Sequence, residues 1–179
     1  MLNKKLEPYL KPGNEYCEIV KDILEHLEFQ KRKTYAHHEN CSVYEHCLAV
    51  SILSYKWARK WHLDYKSAAI GGLLHDFYDK PWQSNNHKLV KQEKVKFFKQ
   101  HGFVNAKEAA KNAYKYFQQL MTPKIENIIK RHMFPLNIHP PKYKESWIIT
   151  CVDKYVSADV LKTPKAWPKY IGLGKKEKK

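Results

Sequence analysis

At 179 residues, 43% of them apolar and 13% aromatic, the chain can form a single folded core, which excludes an intrinsically disordered protein. A formal net charge of +15 favours anionic partners, but the lysines are scattered, so the charge supports an anionic substrate more than a dedicated nucleic-acid reader. No run nears the roughly 18 apolar residues of a membrane span, and no apolar stretch follows the basic N-terminus, so no membrane partner and no secretory signal is expected.

Residues 1–14, with Pro8, Pro12 and Gly13, read as an irregular lead-in. Asn14 caps a helix over 15–29 whose inner face carries Ile19, Ile23, Leu24 and Leu27. Residues 31–40 read as a polar loop. Ser42 and Glu45 form a capping box, and the helix behind it runs to about Trp61. His46 shares a face there with Val50, Leu53, Trp57 and Trp61, so it points inward. Asp64 caps the next helix, in which Ala68, Ala69, Gly71 and Gly72 permit a close helix approach. That helix ends at His75-Asp76, and Pro81 lies in the loop that follows. Short helices over 89–100 and 106–120 come next, then one opened by Thr122-Pro123 and closed near His132. A last helix over 143–161 sets Asp153 among Ile149, Val152 and Val156. No strand pair is expected. The expected architecture is an all-α, single-domain bundle of six or seven helices over 15–162, followed by a basic tail, 163–179, that reads as disordered.

The chemistry concentrates in four residues. An adjacent histidine and aspartate, as at His75-Asp76, often form no more than an exposed helix end. His46 and Asp153 stand in matching apolar contexts, however, and two imidazoles with two carboxylates suit a divalent Mn, Fe, Zn or Mg ion. An inward histidine also needs a partner for its nitrogens, and a metal provides one.

The segments Tyr44-Glu45-His46-Cys47-Leu48-Ala49-Val50, Leu73-Leu74-His75-Asp76 and Val152-Asp153-Lys154 resemble the HD superfamily of metal-dependent phosphohydrolases. The resemblance spans roughly residues 42–161. It implies an all-helical fold and the metal-ligand set His46, His75, Asp76 and Asp153. In the binuclear branch of that family two further histidines hold a second metal, and His101 and His132 fall in the corresponding places, with Asp76 as the bridge. A mononuclear site remains the alternative, with His101 and His132 close by as phosphate-contacting or proton-donating groups; His101 also fits a polar helix end. Lys80 follows the His-Asp pair by four residues, where family members often carry a lysine near the phosphate. Asp76 and Lys80 are accordingly the catalytic candidates, although Lys80 also fits a solvated loop residue. Asp79, Arg131 and Lys154 are further charged residues near the motif.

The remaining histidines carry less. His26, His62 and His87 read as surface residues, and His37, His38 and His139 could line a cleft mouth. Cys17, Cys41, Cys47 and Cys151 form no C-x-x-C pair and read as reduced thiols in a cytoplasmic protein, with Cys47 and Cys151 buried and Cys47 off the face of His46. The expected activity is hydrolysis of a phosphate ester of a small nucleotide by metal-activated water, with one or two divalent ions. Rivals are a nuclease or RNA-end phosphatase, suggested by the basic balance, and a nucleotide-sensing domain without hydrolysis. The complete ligand set argues against the latter.

Overall fold

In a computed structural model of the chain, residues 6–38, 41–79 and 105–162 are described. They form seven α-helices: α1 (Glu15–Glu25), α2 (Leu27–Gln30), α3 (Val43–Lys60), α4 (Tyr65–Leu74), α5 (105–117), α6 (Pro123–Arg131) and α7 (Lys144–Lys162). The all-α expectation holds. One departure is a small antiparallel hairpin, β1 (Ala36–His38) with β2 (Cys41–Ser42), inside the segment expected to be loop.

Local chemistry explains where the helices start. Asn14 accepts from the Tyr16 N–H, Ser42 and Glu45 complete the capping box, Asp64 accepts from the Ser67 N–H, and Thr122 accepts from the Ile125 N–H ahead of Pro123. Each satisfies a backbone donor that a helix start leaves open. The first helix is shorter than expected because it stops at His26, which takes an extended conformation. Its side chain accepts from the Glu28 N–H to start α2, and its ring packs on Tyr116 and Phe117.

Helix α3 is the central element. It is buried along most of its length and contributes to two apolar clusters. One cluster joins it to Tyr16, Val20 and Ile23 of α1 and to Leu73, Leu74 and Phe77. The other joins it to Ile128 of α6 and to Ile149, Val152 and Val156 of α7. The inner face of α3 ends before its C-terminus: Trp61, expected on the His46 face, is the helix cap and is 53% exposed. Cys151 is likewise exposed, because it lies on the outer side of α7 between buried neighbours Thr150 and Val152.

The small residues of α4 decide how closely it packs. A Cβ on Gly72 would lie 2.7 Å from Ser51 Cα of α3, and a Cβ on Gly71 would lie 2.6 Å from Ile128 Cγ2 of α6. Ser51 also donates to the Ala69 carbonyl at 2.6 Å while accepting from the Tyr16 hydroxyl at 2.8 Å, so one polar chain ties α1, α3 and α4 together.

Candidate metal centre

Four elements deliver the site. His46 projects from the first turns of α3, His75 caps the C-terminus of α4, His132 caps the C-terminus of α6, and Asp153 sits mid-way along α7. All three histidines are buried, and Asp153 is 8% exposed. His46 Nε2, His75 Nε2 and Asp153 Oδ1 converge within hydrogen-bonding range: 3.3 Å between the rings, 3.1 Å from His46 to Asp153 and 3.5 Å from His75 to Asp153. These three can each offer one atom to a common ion.

Asp76 closes the group. Its Oδ2 lies 3.6 Å from His75 Nε2 and 4.0 Å from His46 Nε2, and its Oδ1 lies 3.5 Å from His132 Nε2. The two oxygens of one carboxylate thus face two different sets of imidazoles. Lys80 and His101 lie outside the described residues.

The tautomers follow from the outer bonds. His75 Nδ1 is 2.8 Å from the Gly72 carbonyl, and His132 Nδ1 is 2.8 Å from the Ile129 carbonyl. A carbonyl only accepts, so both Nδ1 atoms carry hydrogen and donate. In the neutral ring each Nε2 then presents a bare lone pair toward a carboxylate. Acceptor facing acceptor in a buried site is unfavourable unless a cation lies between them. The donor set therefore fits a divalent metal, and the carbonyl contacts are of the kind that orient histidines in such sites.

The charge balance agrees. Burial alone would lower the pKa of His75, but the adjacent Asp76 charge and the Asp153 contact raise it well above 6.5. Burial and the neighbouring His75 charge push His132 the other way. Asp153 is held well below the usual carboxylate range: burial opposes this, and its bonds to His46 and His75 outweigh burial. The buried carboxylates thus favour a positive charge beside them.

Three neighbours support the centre in ways the sequence does not display. Cys47 lies off the face of His46, and its buried thiol lies against His75, because α4 packs across more than one face of α3. Lys154 reaches the His132 carbonyl at 3.2 Å and the Thr150 carbonyl at 3.3 Å, so it braces the end of α6. Arg32 was missed altogether. It is fully buried and lies 4.1 Å over the Phe77 ring; it donates to the Tyr78 carbonyl at 3.0 Å and to Asp79 Oδ1 at 2.8 Å, and also to the Glu28 carbonyl. The residues that follow the His-Asp pair are thereby fastened to the first part of the chain. Asp79 serves as the partner of Arg32 in that clamp.

The family model for the HD domain matches residues 43–158. Comparison with curated proteins and with solved structures finds no match. His46, His75, Asp76 and Asp153 all fall inside the matched span, in the order His, His-Asp, Asp. With more than half of its length matched, the chain belongs to the HD domain family, whose members are generally metal-dependent phosphohydrolases.

Proposed function

We propose that the chain hydrolyses a phosphate ester of a small nucleotide in the cytoplasm, using water and one or two divalent cations. The observation that supports this reading most is the pair of carbonyl-locked imidazoles whose Nε2 lone pairs face carboxylates. His46, His75, Asp76 and Asp153 would hold the first ion. His132, with His101, would hold a second, and Asp76 has one oxygen turned to each side. A divalent ion so bound brings the pKa of coordinated water toward neutrality and offsets charge on the phosphoryl oxygens. The protein's own contribution is to fix these donors before substrate arrives. The Gly72 and Ile129 carbonyls orient the rings, and Leu74 and Phe77 beside the His-Asp pair are fully buried, which limits water. Lys80 is proposed to meet the phosphate as a point charge. Imidazole and carboxylate donors suit Mn, Fe, Zn, Mg and Co ions alike.

The test is metal analysis of the purified protein together with a phosphate-release screen over nucleotides, with and without Mn²⁺. The expected result is bound metal and metal-dependent release. Protein that retains no divalent ion and releases no phosphate overturns the reading. His132→Ala then separates one ion from two: metal content should fall from two to one per chain with a sharp loss of turnover. One metal before and after the change sinks the binuclear form. Asp76→Ala should abolish both metal retention and hydrolysis with helix content intact.

A further inference from the structure

A second charged feature lies at the other side of the α6 terminus. A solvent-open trough of about 460 Å³ between α5 and α6 is lined by Lys107, Lys111 and Tyr114 of α5, Lys130 and Arg131 of α6, and His139 of the loop beyond. Lys107 and Lys111 are four residues apart, so their stems rise from one helix face about 6 Å apart along the axis. Tyr114 continues the same stripe and is 40% exposed. Glu108 turns elsewhere, accepting from the Asp79 N–H at 3.3 Å. Glu126 reaches the trough, where it accepts from the Tyr114 hydroxyl at 3.0 Å and pairs with Lys130. Among the described residues four cationic side chains line the trough, and one of them, Lys130, is paired with Glu126. The far wall is anchored: buried Asn137 donates to the Lys130 carbonyl at 2.8 Å and accepts from the His139 N–H at 3.2 Å.

A row of cations suits successive phosphates, and an exposed aromatic ring at its end suits a stacked base. An acidic protein partner would use the lysines and leave the ring without a role. Arg131 lines this trough while the next residue, His132, turns inward to Asp76, so trough and metal centre share one helix end. We infer that the trough binds a single-stranded oligonucleotide, which extends the substrate class from free nucleotides to strand ends. That extension rests on the phosphohydrolase reading, whereas the binding itself does not.

The experiment is fluorescence anisotropy of the full chain with a labelled oligothymidylate of about eight nucleotides, a length within the usual site sizes. EDTA is present throughout, so hydrolysis plays no part. Wild type should bind, with affinity falling as salt rises. Lys107→Glu with Lys111→Glu should weaken binding by about tenfold or more and flatten the log–log salt slope by about 1.4, the value for two lost contacts to a single strand. Tyr114→Ala should weaken binding about tenfold, while Tyr114→Phe, which keeps the ring and loses only the Glu126 bond, should match wild type. Binding unchanged in a charge-reversed variant with native circular dichroism overturns the inference. So does inorganic tripolyphosphate displacing the strand as well as unlabelled oligomer does at equal phosphate concentration. Strand binding without phosphate release by the metal-loaded protein supports the trough and counts against the hydrolase reading alone.

Discussion

Arg32 holds the residues after the His-Asp pair in place, and it does so with a buried charge whose nearer ion-pair partner, the Asp79 side chain, is half exposed, Glu28 lying farther off at 3.9 Å. Removing the guanidinium empties space beside Phe77 and leaves the Tyr78 carbonyl without its donor. Arg32→Met should therefore destabilise by about 2–3 kcal/mol, less than a fully buried pair because Asp79 can rehydrate. Arg32→Lys keeps the charge but lacks the planar fork that reaches a carbonyl and a carboxylate together, and should cost about 1–2 kcal/mol. Both variants should bind metal more weakly than wild type in a calorimetric titration under folding conditions. Wild-type metal affinity in Arg32→Lys would show that the clamp serves the core alone. Arg32 was illegible in the sequence because it reads as one member of a basic Lys31-Arg32-Lys33 run, and its burial is imposed by residues 77–79, far along the chain. The candidate metal donors were legible for the opposite reason: histidine and aspartate on otherwise apolar helix faces are rare enough to stand out without any long-range contact.

Between elements, the spacing of α3, α4 and α6 is set by glycines. Gly72 meets the Ser51 backbone, which can retreat only if a whole helix moves, whereas Gly71 meets the Ile128 side chain. Gly72→Ala should lower stability by about 3 kcal/mol and Gly71→Ala by about 1–2 kcal/mol, as read from denaturant melts. Because Gly72 also supplies the carbonyl that orients His75, its alanine variant should lose metal affinity as well. The reverse order of the two variants would refute this account. A second element-level device is Asp64, which caps α4 and pairs with Lys124 at 3.0 Å. Burial alone would raise its pKa, but the Ser67 donors and Lys124 lower it below the usual 3.8. A depressed carboxylate contributes stability above its unfolded pKa and loses it as pH falls through the folded value. The advantage of wild type over Asp64→Asn should therefore hold at neutral pH and shrink below about pH 3.8 in pH-dependent urea melts. A gap independent of pH would assign it to geometry. Caps such as Ser42, Asp64 and Thr122 were legible because they act within three residues. The break at His26 was not, since it depends on the rings of Tyr116 and Phe117.

For the whole molecule, the candidate metal centre is the place where α3, α4, α6 and α7 meet. Helices α3, α4 and α6 occur in both apolar clusters, while α7 brings Asp153 from the second. Ligation would thus tie α7 to the helices that carry both clusters. Saturation at about 100 times the dissociation constant should add about 2.7 kcal/mol and raise the melting temperature by roughly 5–10 °C over EDTA-treated protein. A melting temperature indifferent to every divalent ion would remove the structural role of the site. No described helix is long and apolar enough to cross a membrane.

Two helix C-termini, those of α4 and α6, end at this one point, with His75 and His132 as their caps. Each brings the negative end of its dipole beside two carboxylates. In the metal-free protein that pocket repels an anion, however basic the surface around it. Occupancy therefore acquires a sequence in time: the cation enters first and the phosphate second. Inorganic phosphate should protect the centre from proteolysis or heat only after metal is added, and the order of addition becomes a kinetic property written into the direction of two helices.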